Sequence, residues 1–108
     1  PADRADGAFA PRVLALDGNE PNPFAAETRI HFTNPRTQAL RLSAYDSQGR
    51  LVDVLFDGER GAGTESFAWR ARHPDGSPLH SGVYFLRLAG GGETVTRKVV
   101  VVEPRSSR

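Results

Sequence analysis

Hydrophobic and polar residues alternate along most of this chain, which is the pattern of strands that bury one face. In the segment 28–33, Ile30 and Phe32 alternate with Arg29 and His31. Similar short segments recur along the sequence, at 13–16, 40–45, 51–56, 64–69, 82–88 and 93–102. None carries the apolar stripe of an amphipathic helix, so the pattern predicts seven short strands.

Residues that favour turns separate these segments. Gly, Pro, Asn and Asp concentrate at 17–23, 34–36, 46–49, 57–63, 73–78 and 89–92. Seven strands at this spacing predict an all-β fold, an immunoglobulin-like Greek-key β-sandwich of about seven antiparallel strands. We expect the sandwich to span residues 13–103, with a linker or mobile arm at 1–12 and a polar tail at 104–108. Trp69 is expected to anchor the core and Phe24 to plug one end of it.

Composition narrows the class of protein. The 108 residues suit one domain, and the absence of cysteine excludes disulfides and thiolate metal sites. There is no methionine and the sequence begins at Pro1, so we expect a processed product or a part of a longer chain. The net charge is +1 and its cations are dispersed, which argues against nucleic-acid binding. No apolar run approaches the ~20 residues of a transmembrane segment.

No set of residues predicts catalysis or a cofactor. A zinc site needs three or four ligands at defined spacing, and the histidines are few and scattered: His31, His73 and His80. Calcium needs six to eight oxygens, whereas the loop carboxylates Asp46, Asp57 and Asp75 are adjacent to or near glycines and suit ordinary turns. The serines lack a nucleophile elbow, and Gly90-Gly91-Gly92 leads into neither a helix nor a Lys-Ser/Thr pair. We therefore expect a non-enzyme with no cofactor and no metal.

Five motifs, in order, resemble a bacterial family. They are Glu20-Pro21-Asn22-Pro23-Phe24 followed by the 28–32 segment; Leu42–Arg50, similar to "L.VYD..GR"; Trp69; Asp75-Gly76 with Ser81–Phe85, similar to "DG…SGVYF"; and Arg97–Val101, similar to "KK(V/L/M)(V/L)". The resemblance runs from about Leu14 to Val102. The family is the C-terminal sorting domain of the type IX secretion system, which shares its fold with the immunoglobulin-like domain of the flagellar hook-capping protein. This chain departs from it at Arg70-Ala71, where the family usually has Asp/Asn-Gly, and by extending past the last strand to Arg108.

The resemblance implies a non-catalytic sorting or surface-attachment module of an exported, Bacteroidota-like bacterial protein. It implies a secreted or cell-surface location reached through the periplasm, and protein partners in the secretion or attachment machinery. The candidate sorting signal is the terminal strand: Arg97, Lys98, Val99, Val100, Val101 and Val102.

Two alternatives stay open at this stage. The first is a structural subunit or spacer of an extracellular assembly, in which copies associate side by side or through an edge strand. The second is a carbohydrate-binding accessory domain of a secreted hydrolase. Aromatic residues for the latter, such as Phe9, Tyr45 and Phe85, are scattered in sequence.

Overall fold

The computed structural model describes residues 13–102, which form seven strands and no helix. The strands are β1 (Ala15–Glu20), β2 (Thr28–Asn34), β3 (Gln38–Asp46), β4 (Leu51–Arg60), β5 (Gly63–Trp69), β6 (Gly82–Gly90) and β7 (Glu93–Val101). The predicted segments 1–12 and 104–108, and Glu103, lie outside the described residues.

The strands form two sheets, ordered β1-β2-β5 and β4-β3-β6-β7, and all neighbours in them are antiparallel. The chain passes from one sheet to the other after β2, β4 and β5, while β3–β4 and β6–β7 are hairpins. This confirms the predicted immunoglobulin-like sandwich. The edge strands β1 and β7, one from each sheet, lie beside each other along one side of the sandwich.

The core lies between the two sheets and follows the alternation of the sequence. Ile30 and Phe32 of β2 are fully buried, as are Leu42 of β3 and Leu88 of β6. Each such side chain contributes roughly 1.5–3 kcal/mol by leaving water. The opposite positions carry residues such as Arg29, so each sheet has one apolar and one more polar face.

Trp69 and Phe24 close one end of this core. Their side chains are 4% and 2% exposed, and their ring centroids lie 5.6 Å apart with the planes tilted by 52°. Both predicted positions are thus confirmed. Among the described residues the indole Nε1 has no hydrogen-bond partner, so Trp69 stabilises the fold through its apolar area.

A buried asparagine joins the two crossings between the sheets near the other end. Asn34 is fully buried, and its Nδ2 donates to the carbonyl oxygens of Arg60 and Gly61 at 3.1 and 2.9 Å. Gln38 Nε2 in turn donates to Asn34 Oδ1 at 2.9 Å. These bonds satisfy the buried amide and fix where β2 leaves one sheet and β4 leaves the other.

Two predicted loops are wrong in part because strand pairing extends into them. Residues 17–20 continue β1, since Gly18 to Glu20 pair with His31 to Arg29, and a bulge between Leu16 and Gly18 absorbs the irregularity. Residues 57–60 continue β4, since they pair with the first residues of β3. In both places the partner strand supplies a ladder that outweighs the low strand propensity of Asp, Gly and Asn.

We predict that Trp69→Ala lowers the free energy of unfolding by about 3–5 kcal/mol, because it removes a large buried side chain and leaves a cavity. Arg70→Ala is the matched control, since the neighbouring Arg70 side chain is 73% exposed. Urea titration of both variants measures the difference. A loss below about 1 kcal/mol for Trp69→Ala would show that the indole is not a core anchor.

Candidate functional site

The predicted signal segment divides between the two faces of β7. Val99 and Val101 point into the core and are 0% and 2% exposed. Lys98 is exposed on the outer face, Val100 is half-buried there, and Val102 follows the strand with 45% exposure. The six residues therefore do not form one surface: two of them hold the strand in the fold.

Arg97 belongs to the inward set by alternation but sits at the rim. Its guanidinium lies over Gly18 of β1, where a Cβ would be 3.7 Å from Nη2. Both line a polar depression at the neighbouring edges of the two sheets, together with Asp17, Asn19 and His31. Arg97 is thus an exposed residue whose guanidinium reaches from β7 to β1.

The segment Asn22–Phe24 closes the last residues of the terminal strand. Phe24 N donates to the carbonyl oxygen of Val100 at 3.1 Å, and Val102 N donates to the carbonyl oxygen of Phe24 at 2.8 Å. Val100 N donates to the side-chain Oδ1 of Asn22 at 3.0 Å. We call these three bonds the terminal closure, because they occupy the outer edge of β7 at its end.

The other half of the same edge lacks such a cover within residues 13–102. β7 is the last strand of its sheet, and alternate residues direct their N–H and C=O groups to the same side. Since Val100 faces Phe24, the backbone groups of Lys98, Thr96 and Thr94 face outward as well. The terminal strand therefore has a closed end and an open beginning.

The outer face of the four-stranded sheet carries two of the four exposed large hydrophobic residues of the described chain, Leu51 and Val83. Tyr45, Phe85 and Lys98 form one row across β3, β6 and β7. Leu51 lies opposite Tyr45 at 50% exposure, and Val83 opposite Val100 at 36%. This mixture of apolar and cationic groups distinguishes the face from the polar outer face of the other sheet.

The candidate catalytic and metal residues do not come together. Within the described chain no three His, Asp or Glu side chains form a metal-binding group. His31 lies on the outer face of β2, while His73 and His80 lie in or beside the loop before β6. Asp57 pairs with Arg41 at 3.9 Å, and Asp75 accepts hydrogen bonds from the hydroxyl and the amide of Ser77, which lower the pKa of its carboxyl.

Asp46 organises the β3–β4 turn. Its carboxylate accepts hydrogen bonds from the amides of Arg50 and Gln48 at 2.9 Å each, and from Arg50 Nε at 2.9 Å. These bonds, that of the Arg50 amide foremost, lower the pKa of Asp46. The carboxylate is thus occupied with turn geometry and is not free for a ligand.

Sequence reasoning missed two parts of this surface. The terminal closure involves backbone atoms of β7 and residues some 78 positions earlier, so no local pattern indicates it. The Tyr45–Phe85 juxtaposition depends on the register of β3 and β6. For the closure the available signal was the Asn-Pro-Phe motif itself, whose turn residues are followed by a fully buried aromatic.

The fold identifies the class of protein as an immunoglobulin-like domain, and comparison of the sequence identifies the family. Residues 18–94, more than half of the chain, match the FlgD Ig-like domain family, and the chain belongs to it. The match ends within β7, so Arg97–Val102 lie outside it. A comparison with curated proteins finds no match.

Three solved structures share the fold. Dimeric latent PorU from Porphyromonas gingivalis is similar with a TM-score of 0.70 and 19% identity, over 89% of this chain and 10% of PorU. FlgD from P. aeruginosa has a TM-score of 0.55 and 20% identity, over 68% of this chain and 60% of FlgD. PorZ, an essential surface component of the type IX secretion system of Porphyromonas gingivalis, has a TM-score of 0.54 and 22% identity, over 80% of this chain and 11% of PorZ.

The three structures are 19–22% identical to this chain in sequence. At such identities they show a shared fold, and function resides in sites rather than folds. The chain spans about a tenth of PorU and of PorZ. The described residues include no helix that is long and apolar enough to cross a membrane.

We predict that Asn22→Ala lowers the free energy of unfolding by about 1 kcal/mol, because Val100 N loses its acceptor. Asn22→Asp is the control, since a carboxylate oxygen can accept the same bond. Urea titration compares the two. Equal losses for both variants would show that the hydrogen bond to Val100 is not what Asn22 contributes.

We predict a pH dependence from Asp46. Because its pKa is lowered in the folded state, its charged form stabilises the fold above the pKa of an unfolded aspartate. This contribution is lost as the pH falls through the folded pKa. Relative to Asp46→Asn, the wild-type advantage in urea titrations should therefore shrink on acidification. A difference independent of pH would contradict the assignment.

Proposed function

We propose that this chain is a non-catalytic sorting or surface-attachment module of an exported bacterial protein, acting through protein–protein contact. The observation that carries the proposal is the position of β7. Its inward side chains Val99 and Val101 are locked in the core, while Lys98, Val100 and Val102 lie on the outer side. A partner can therefore recognise the folded strand.

The comparisons with known structures support the proposed sorting or surface-attachment role. Two of the proteins that share the fold, PorU and PorZ, come from Porphyromonas gingivalis, and PorZ is a surface component of its type IX secretion system. The motifs of the sequence resemble the sorting domains of the same system. The location that follows for this module is secreted or cell-surface, reached through the periplasm, with machinery proteins as partners.

The burial pattern favours a contact with the folded strand over one with an extended peptide. A signal read as an extended peptide would require Val99 and Val101 to leave the core, at roughly 1.5–3 kcal/mol for each side chain. Recognition of the outer side of the intact sheet leaves both valines in the core and so avoids this loss of free energy. Lys98 is the only lysine of the chain, and within residues 13–102 no carboxylate forms an ion pair with it. We therefore assign Lys98 as the main contact residue for the partner.

A second candidate is a structural subunit or spacer that associates with copies of itself. The open half of the β7 edge, from Thr94 to Lys98, favours it, because unpaired backbone groups can accept another strand. Sedimentation of the chain over a range of concentrations separates the two: self-association supports the structural role. A monomer at all concentrations supports a contact with a different protein.

The sorting role is tested with a reporter fused ahead of this chain in a host with a functional type IX system. Lys98→Ala should change stability by less than ~0.5 kcal/mol, as exposed substitutions do, yet reduce delivery of the reporter to the surface. Residues added after Arg108 should hinder delivery as well. Cell-surface labelling of the reporter measures both effects.

Arg29→Ala is the matched control, since Arg29 is an exposed cation on the outer face of the other sheet, bonded to Ser66. It should leave delivery unchanged. Normal delivery by both the Lys98→Ala variant and the extended chain would overturn the sorting role and favour the structural one.

A further inference from the structure

A groove of about 390 Å³ lies on the outer face of the four-stranded sheet, over β3, β6 and β7. It is lined by Tyr45, Phe85, Arg87, Thr94 and Thr96, together with residues at the β3–β4 turn: Asp46, Ser47 and Gly49. Its volume falls in the range of small-ligand sites, which combine apolar surface with a few placed polar groups. None of these residues belongs to the contact assigned above to Lys98.

Strand register builds the groove from distant parts of the sequence. Tyr45 pairs with Phe85 across β3 and β6, and Arg87 pairs with Thr96 across β6 and β7. The backbone groups of Val100 face Phe24, and those of Thr96 point to the same side because residues alternate along β7. Thr96 therefore faces away from β6, so it forms a pair with Arg87 that lacks mutual backbone hydrogen bonds. Side chains lie closest in such pairs, so Thr96 and Arg87 are neighbours on the outer face of the sheet.

Arg87 is the cation of the groove lining. No carboxylate of residues 13–102 forms an ion pair with Arg87, whose guanidinium carbon lies 5.9 Å from the centroid of the Tyr45 ring. The one carboxylate in the lining, Asp46, is paired with Arg50 at 2.9 Å. A hydrogen bond with Ser43 is the main cause that lowers the pKa of Tyr45; burial opposes it, and Arg87 lowers the pKa further.

We infer that this groove binds a short acidic saccharide, a chain of uronate units. The apolar face of a pyranose ring packs on Phe85 and Tyr45, its carboxylate accepts charge-assisted hydrogen bonds from Arg87, and its hydroxyls bond to Thr94 and Thr96. The site adjoins Lys98, which lies opposite Phe85, but the inference does not depend on the proposed sorting role.

The backbone of the groove argues against a peptide as its ligand. β3 lies between β4 and β6, and β6 between β3 and β7, so both central strands already have ladder partners on each side. An extended peptide gains its affinity largely from main-chain hydrogen bonds at a free edge. The free edge of β7 lies in the plane of the sheet and not on its outer face, and the threonine hydroxyls with the Arg87 cation suit a polyhydroxylated acid.

The test is a titration of the isotopically labelled chain, followed by the amide signals in NMR spectra. The probes are trisaccharides of galacturonate, mannuronate and guluronate, the methyl ester of the first as a neutral counterpart, and an acidic tetrapeptide of alternating glutamate and phenylalanine. At least one uronate should bind saturably and shift Phe85, Arg87 and Thr96. The methyl ester should bind at least about tenfold more weakly, as loss of a charge-assisted bond predicts.

Two variants locate the site. Arg87→Gln should weaken uronate binding by at least about tenfold, while Arg29→Gln on the other sheet should leave it unchanged. Thermal melts of both verify folding, and Arg87→Lys, which keeps the charge, should restore part of the affinity. The inference is overturned if no uronate binds, if Arg87→Gln binds normally, if the shifts fall elsewhere, or if the tetrapeptide binds more tightly than every uronate.

Discussion

The terminal closure is the constraint on which the functional geometry of this domain depends. β7 is an edge strand, and edge strands fray or recruit other chains unless something covers them. Here Asn22 and Phe24 bond to Val100 and Val102, and the Phe24 ring continues into the core against Trp69. The end of the strand is therefore held by backbone bonds and by apolar packing at once. That arrangement keeps the outer side of β7 presented as a folded surface.

Much of the fold follows from local pattern. The period-two alternation of β2, β5 and β6 identifies both the strands and the faces they bury, and Trp69 and Phe24 are recognisable as core residues. Strand ends are harder, because Asp17–Glu20 and Asp57–Arg60 look like loops and become strands only through their partners. Pairing energy is not a local property of sequence, so these bounds had to come from the structure.

Ala71 illustrates a different limit. It stands where the resembling family usually has glycine, and it adopts φ 55°, a conformation that costs a residue with a Cβ roughly 1–2 kcal/mol. The backbone keeps this geometry because the amide of Leu79 donates to Ala71 O at 3.0 Å and both side chains are buried. The sequence shows the departure from the family, but only the structure shows that the turn persists.

The surface sites also depend on contacts between distant parts of the sequence. Strand register, not sequence proximity, brings Tyr45, Phe85 and Arg87 together.

Residue-resolved amide hydrogen exchange of the unmodified chain measures whether β7 is closed at its end and open at its beginning. We expect the amides of Val100 and Val102 to exchange slowly, since both donate hydrogen bonds to the Asn22–Phe24 segment. We expect Thr96 and Lys98, whose amides face outward, to exchange much faster, although they lie nearer the middle of the strand. Equally fast exchange at all four positions would contradict the closure, and with it the view that a partner reads this strand in its folded state.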